Sequence, residues 1–228
     1  SMTTHHSELQ KSVVYAVGLG PEGRDHITPA ARAAILDADV IVGYRKYCDQ
    51  IAALVEGREL IASGMGDEVS RCRQALDRAR EGNTVAVISS GDPGVYGMAG
   101  LLIEIAADEG IDDIYIEVVP GLTAASAAAA VLGSPPMNDF TVISLSDLLT
   151  PTETIRKRLH ATVEGDFVTA LYNPRSTKRH ALFSEALSIF KQARGDDQPA
   201  AFVKNAGRSD VQTWIGKLSE LPSEEVDM

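Results

Sequence analysis

Residues 84–88 read Thr-Val-Ala-Val-Ile, apolar at nearly every position. A strand with one face in water alternates apolar and polar residues. A run this uniform fits a strand buried on both faces, the environment of a parallel sheet covered by helices. Short β-branched runs alternate with helical stretches around it from end to end, the pattern of α/β units. Residues 13–17, 39–42 and 114–119 are further strand candidates, and residues 141–145, 167–172, 200–204 and 211–215 continue the pattern. Thr28-Pro29 opens the first helix, with threonine as N-cap and proline at the first helical position. Residues 68–81 place Val69, Cys72, Leu76 and Ala79 on one helical face, closed by Gly82. Residues 123–132 form a helix of small side chains, and Thr150-Pro151-Thr152-Glu153 matches the capping box of another helix. The expectation is an α/β fold of two lobes, residues 13–121 and 122–228, behind a loose N-terminus of residues 1–12.

The 228 residues are 44% apolar and 23% charged, the balance of a folded globular chain rather than a disordered one. No apolar run approaches the ~20 residues that span a bilayer, and the polar start carries no signal-peptide pattern. A cytoplasmic protein with no membrane partner is expected. The closing stretch, residues 221–226, reads as the approach to one more strand, which is expected to follow it. Cys48 and Cys72 form no CxxC pair and read as reduced structural thiols, and no metal site is expected. A net charge of −11 argues against a nucleic-acid partner, which requires a basic footprint.

Two glycine-rich loops carry the chemistry. Gly18-Leu19-Gly20-Pro21-Glu22-Gly23 follows the first strand and reads as GxGxxG. In a dinucleotide fold those glycines open the helix itself, so that its N-terminus faces the pyrophosphate. Here the helix waits until Thr28, Pro21 interrupts the turn, and Val42-Gly43-Tyr44 ends the second strand without an acid for a ribose hydroxyl. An NAD-type oxidoreductase is therefore the disfavoured reading. The second loop, Ser89-Ser90-Gly91-Asp92-Pro93-Gly94-Val95-Tyr96-Gly97, follows the most apolar strand, with Pro93 expected as the first residue of the next helix. It lies beyond the carboxyl end of a strand, where ligands of open parallel sheets bind. Asp92 alone reads equally well as a helix cap. Gly91, Gly94, Gly97 and Gly100 together remove side chains where a ligand can approach the backbone.

A strand followed by VGLGPEGRDHIT, then SSGDPGVYG, then VVPGLTAASAAAA, resembles the tetrapyrrole methylase family of S-adenosylmethionine enzymes in order and spacing, over residues 13–216. The resemblance implies two α/β lobes with the active-site cleft between them, and a homodimer. It implies cofactor contacts from Pro21, Ser90, Gly91, Asp92, Val95, Thr123 and Ala124, and from Asn173, Asn205 and Ala206. Residues 63–66 (SGMG), 145–151 (LSDLLTP) and 170–176 (ALYNPRS) resemble the branch that methylates precorrin-3B at carbon 17 in cobalamin biosynthesis, with contraction of the ring. The substrate is then a precorrin tetrapyrrole, metal-free or cobalt-bearing. Methylation of another macrocycle carbon or of diphthamide is the nearest alternative, and a non-catalytic tetrapyrrole carrier is a third.

Methyl transfer from a sulfonium to an electron-rich carbon needs alignment and exclusion of water more than a nucleophile. Glycine-rich backbone loops suit that task. A polycarboxylate substrate needs local positive charge despite the acidic total. Arg156-Lys157-Arg158 and the segment after Asn173 supply it, with Arg175 and Lys178 as candidate partners of propionate or acetate groups. Ser146 and Tyr172 sit at strand ends as substrate contacts, and Asp147 and His26 are the candidates for proton transfer.

Overall fold

The computed structural model describes residues 11–22, 24–64, 66–174, 180–206 and 210–226. The chain divides into two compact units, one ending at Ala124 and the other beginning at Ala125. No helix among the described residues is long and apolar enough to cross a membrane.

The first unit holds strands β1 (Ser12–Gly18), β2 (Val40–Tyr44), β3 (Glu59–Ser63), β4 (Val85–Ser89) and β5 (Ile114–Val119). They form one sheet in the order β3-β2-β4-β1-β5, with every neighbouring pair parallel. All five carboxyl ends therefore share one edge. The helices are α1 (Pro29–Asp37), α2 (Arg45–Gln50), α3 (Glu68–Arg80) and α4 (Met98–Asp108). Every residue of the central β4 is buried, as its uniform apolarity requires. Val85 and Val87 face one core with Cys72, Leu76 and Leu102 of α3 and α4, while Ala86 and Ile88 face another with Ala31, Ile35 and Cys48 of α1 and α2. The two thiols thus belong to cores on opposite faces of the sheet.

Local signals in the sequence explain the helix ends. The Thr28 hydroxyl accepts the Ala31 N–H at 3.0 Å, capping α1 as expected, with Pro29 at its first position. Helix α3 ends in a Schellman turn: Gly82 (φ +97°) donates to the Ala79 carbonyl at 3.0 Å and Asn83 to that of Arg78 at 3.3 Å. Its buried stripe is Arg71, Cys72, Ala75, Leu76 and Ala79, whereas Val69 is exposed, contrary to the periodicity.

The second unit contains the parallel pair β6 (Phe140–Ser144) and β7 (Val168–Tyr172) and the antiparallel pair β8 (Pro199–Lys204) and β9 (Gln212–Lys217). Helix α5 (Ala124–Leu132) starts at its border, followed by α6 (Thr152–Glu164) and α7 (Ala181–Arg194). Ile143 and Leu145 pack with Ile155, Leu159, Phe183 and Phe190 to form its core. Phe202 and Trp214, opposite each other on β8 and β9, stack at 6.1 Å. The capping box is not formed. Helix α6 begins one residue after Pro151, which makes no side-chain cap, and Glu153 turns instead to Arg156. Arg156 also reaches Glu185, so it ties α6 to α7, and these carboxylates raise its pKa.

Candidate functional site

Three strand ends of the first unit meet through their backbones. Leu19 donates to the Ser89 carbonyl at 2.9 Å, and Gly20 and Gly91 exchange N–H···O bonds of 3.0 and 2.9 Å. A Cβ at Gly18 would collide with the Gly91 carbonyl oxygen and lie 2.7 Å from Pro93 Cδ. One at Gly121 would collide with the same oxygen and lie 2.8 Å from that of Gly18. Only glycine lets the loops after β1, β4 and β5 close at this point. Asp92 fastens them: its Oδ2 accepts the Gly94 N–H at 2.8 Å and its Oδ1 accepts the Gly121 N–H at 2.9 Å.

This bracing overturns the expected start of the following helix. With both Asp92 oxygens engaged, residues 93–97 make a tight turn that includes Tyr96 at φ +55°, and α4 opens only at Met98. Gly97 is a packing residue, since a Cβ there would lie 2.6 Å from Pro93 Cα. Gly100 has open space around it on α4. Within the loop after β4, Gly91 combines positive φ (+64°) with room: a Cβ would meet only Leu122 O and Thr123 Cα, both at 3.9 Å. That leaves a small backbone cradle bounded by residues 122 and 123.

Of the other candidates in this unit, Pro21, Val95 and Thr123 are half-buried and Ala124 is exposed. Ser90 is exposed and its hydroxyl donates to Tyr47 OH at 3.2 Å. His26 ends a short 3-10 turn (Arg24–His26), with its carbonyl oxygen packed against Gly20. Helix α1 begins at Pro29, so the GxGxxG glycines do not open a helix.

In the second unit the ends of β6 and β7 are bonded together. Leu145 donates to the Tyr172 carbonyl at 2.9 Å, and the Asn173 amide donates to Ser144 Oγ at 3.1 Å, which also accepts the Ser146 N–H at 3.2 Å. Asn173 holds φ +51° and Asn205 φ +56°, the left-handed region that asparagine tolerates better than most residues. Asn205 donates to Asp210 at 3.3 Å, beside a half-buried Ala206. The Tyr172 hydroxyl, read above as a substrate contact, accepts the Ala125 N–H at 2.7 Å and so satisfies a free donor in the first turn of α5. Ser146 is half-buried and Asp147 exposed in the loop after β6. Arg175 and Lys178 lie outside the described residues.

Two polar groups escaped the sequence reading. Arg71 is buried in the first turn of α3, its Nη1 donating to Ser63 Oγ at 3.0 Å and the Gly64 carbonyl at 2.7 Å. The Ser89 hydroxyl, at the end of β4, is buried without a hydrogen-bond partner among the described residues. The signal for Arg71 was its place on the Ala75–Ala79 face of α3.

The family model for tetrapyrrole (corrin/porphyrin) methylases matches residues 13–222. The chain is 41% identical over 212 residues to a probable cobalt-factor III C(17)-methyltransferase of Salmonella typhimurium, covering 93% of this chain and 88% of that protein. It is 42% identical over 221 residues to a cobalt-factor III methyltransferase of Priestia megaterium, spanning 96% of this chain but only 41% of that longer protein. Among solved structures, that of the methyltransferase CobJ matches with a TM-score of 0.89 at 38% identity, over 96% of this chain and 91% of that one. With the motifs in register and the family matched over nearly the whole described chain, the protein belongs to the tetrapyrrole (corrin/porphyrin) methylases.

Proposed function

We propose that the protein transfers the methyl group of S-adenosylmethionine to carbon 17 of a precorrin macrocycle, with ring contraction, in cobalamin biosynthesis. The observation that carries this reading is the glycine cradle at the ends of β1, β4 and β5, in a chain about 40% identical to cobalt-factor III methyltransferases. The cradle fits a donor held by backbone: Gly91 leaves space next to Leu122 and Thr123, and Asp92 keeps the walls in place. In this reading Pro21, Ser90, Gly91, Val95, Thr123 and Ala124 contact the donor, with Asn173, Asn205 and Ala206 as further contacts.

S-adenosylmethionine supplies an electrophilic methyl group to an electron-rich ring carbon. The protein's task is alignment and exclusion of water, which is worth roughly 7–11 kcal/mol where the geometry is well set. Asp147 and His26 remain the candidates for proton transfer during contraction, and Ser146 lies by the ring. Arg175 and Lys178 are proposed partners of its carboxylates. The homodimer and the cytoplasmic location belong to the same proposal.

The test is transfer of label from methyl-labelled S-adenosylmethionine to cobalt-factor III or precorrin-3B. Label at carbon 17 supports the reading. Label at another carbon points to a different position within the family, and no transfer to either macrocycle contradicts the reading.

A further inference from the structure

We propose that Arg71 binds a carboxylate of the tetrapyrrole substrate at the carboxyl edge of the first sheet, an inference that rests on the functional reading above. Arg71 is 6% exposed. A guanidinium so far removed from water needs charge compensation as well as hydrogen bonds. Its Nη1 is used by two neutral acceptors, Ser63 Oγ and the Gly64 carbonyl. Its only ion-pair partner among the described residues is Glu68, at 3.7 Å from Nη2, beyond hydrogen-bond reach and on a half-exposed side chain. Nε and Nη2 have no hydrogen-bond acceptor among the described residues. These two nitrogens carry the parallel N–H pair that matches a carboxylate in the bidentate mode.

The surroundings suit an anion. Ser63 is the last residue of β3, so Arg71 stands at the edge where open parallel sheets take their ligands. It projects from the first turn of the 13-residue α3, whose N-cap Asp67 makes no side-chain hydrogen bond. The amino-terminal N–H groups add positive potential there. On β4, two strands away, Ser89 falls on the same sheet face as Val85 and Val87, which pack against α3 and α4. Its hydroxyl is the one buried side-chain oxygen without a partner among the described residues. The carboxyl edge of this sheet therefore holds an unpartnered buried hydroxyl, and a cation whose one carboxylate partner stands beyond hydrogen-bond reach. A chain of net charge −11 needs such a local cation to take up a polycarboxylate.

The test compares wild type with Arg71→Met, Arg71→Lys and Glu68→Gln in steady-state methyl transfer, with cobalt-factor III or precorrin-3B as acceptor and S-adenosylhomocysteine affinity measured alongside. Arg71→Met removes the charge at similar length and raises the macrocycle KM roughly ten- to hundredfold, the range for a hydrogen bond to a charged group. Arg71→Lys keeps the charge without the fork and gives a smaller rise. Glu68→Gln, on a half-exposed side chain that does not endanger the fold, removes the competing carboxylate and lowers the macrocycle KM several-fold. S-adenosylhomocysteine affinity stays at the wild-type value in all three. A macrocycle KM indifferent to Arg71→Lys and Glu68→Gln overturns the proposal, as does a parallel loss of homocysteine-product affinity, which marks Arg71 as a brace of the fold. Wild-type protein that transfers no methyl group contradicts the functional reading itself, and is thereby told apart from a failure of Arg71 alone.

Discussion

Asp92 Oδ1 accepts the Gly121 N–H at 2.9 Å, joining the loop after β4 to the loop after β5 across 29 residues of sequence. Its second oxygen accepts the Gly94 N–H at 2.8 Å. The carboxylate is therefore a brace for the backbone that the donor is proposed to contact. Asp92→Ala leaves two N–H groups without their acceptor. It is expected to cost about 1–3 kcal/mol of stability and to weaken S-adenosylhomocysteine binding at least tenfold by calorimetry. Asp92→Asn keeps one carbonyl acceptor and should fall between Ala and wild type.

The glycines of these loops have different tasks, and alanine substitution separates them. Gly121→Ala forces a Cβ onto the Gly91 carbonyl oxygen and is expected to destabilise the chain by about 1–3 kcal/mol, the usual range for overpacking. Gly100→Ala, in open space on α4, should stabilise by about 0.5–1 kcal/mol through helix propensity. Denaturant melts of the two variants give opposite signs if the loops close as described.

Both thiols are held protonated. Burial pushes Cys48 up to about 11 and Cys72 to about 12, while the hydrogen bond to the Asp37 carboxylate pushes Tyr15 up to about 12. An unfolded chain releases these protons from about pH 9 for the thiols and pH 10 for the phenol, whereas the folded chain keeps them. Their contribution to stability is complete below pH 9 and declines as pH rises from there towards the folded values. Urea midpoints should fall steadily between pH 9 and 11, and a thiol reagent at pH 8 should label neither cysteine until the chain is unfolded.

Tyr172→Phe removes the hydroxyl that accepts the Ala125 N–H and leaves a donor in the first turn of α5 unsatisfied. The expected loss is about 1 kcal/mol, comparable to deletion of a helix cap. A thermal melt unchanged from wild type would contradict that role.

Sequence alone made the sheet and the cradle loops legible, because β4 is uniformly apolar and Thr28-Pro29 and Gly82 act through local contacts. It did not reveal β3 or α2. β3 is an edge strand that opens Glu-Leu with both residues exposed, so it lacks the continuous apolar signal. α2 is six mostly polar residues with a single buried side chain, Cys48. Asp92-Pro93 misled for a tertiary reason: its carboxylate is claimed by Gly121, far away in sequence, and the helix starts five residues later than Pro93. Thr150 failed as a cap because the helix starts one residue later, with Pro151 in the cap position, and Glu153 pairs with Arg156. Arg156, read as local positive charge for a polycarboxylate, proved to be paired with Glu153 and Glu185. Arg71 was hidden because a basic residue in a charged helix reads as solvated, although its spacing from Ala75 and Ala79 places it inside.

The most direct test of the central claim is calorimetric titration of the purified protein with S-adenosylhomocysteine, with NAD as a parallel ligand. The expected result is micromolar binding of S-adenosylhomocysteine, weakened in Asp92→Ala, and no heat from NAD. Binding of NAD with none for S-adenosylhomocysteine would contradict the methyl-donor role of the glycine cradle and return the Gly18–Gly23 loop to a dinucleotide.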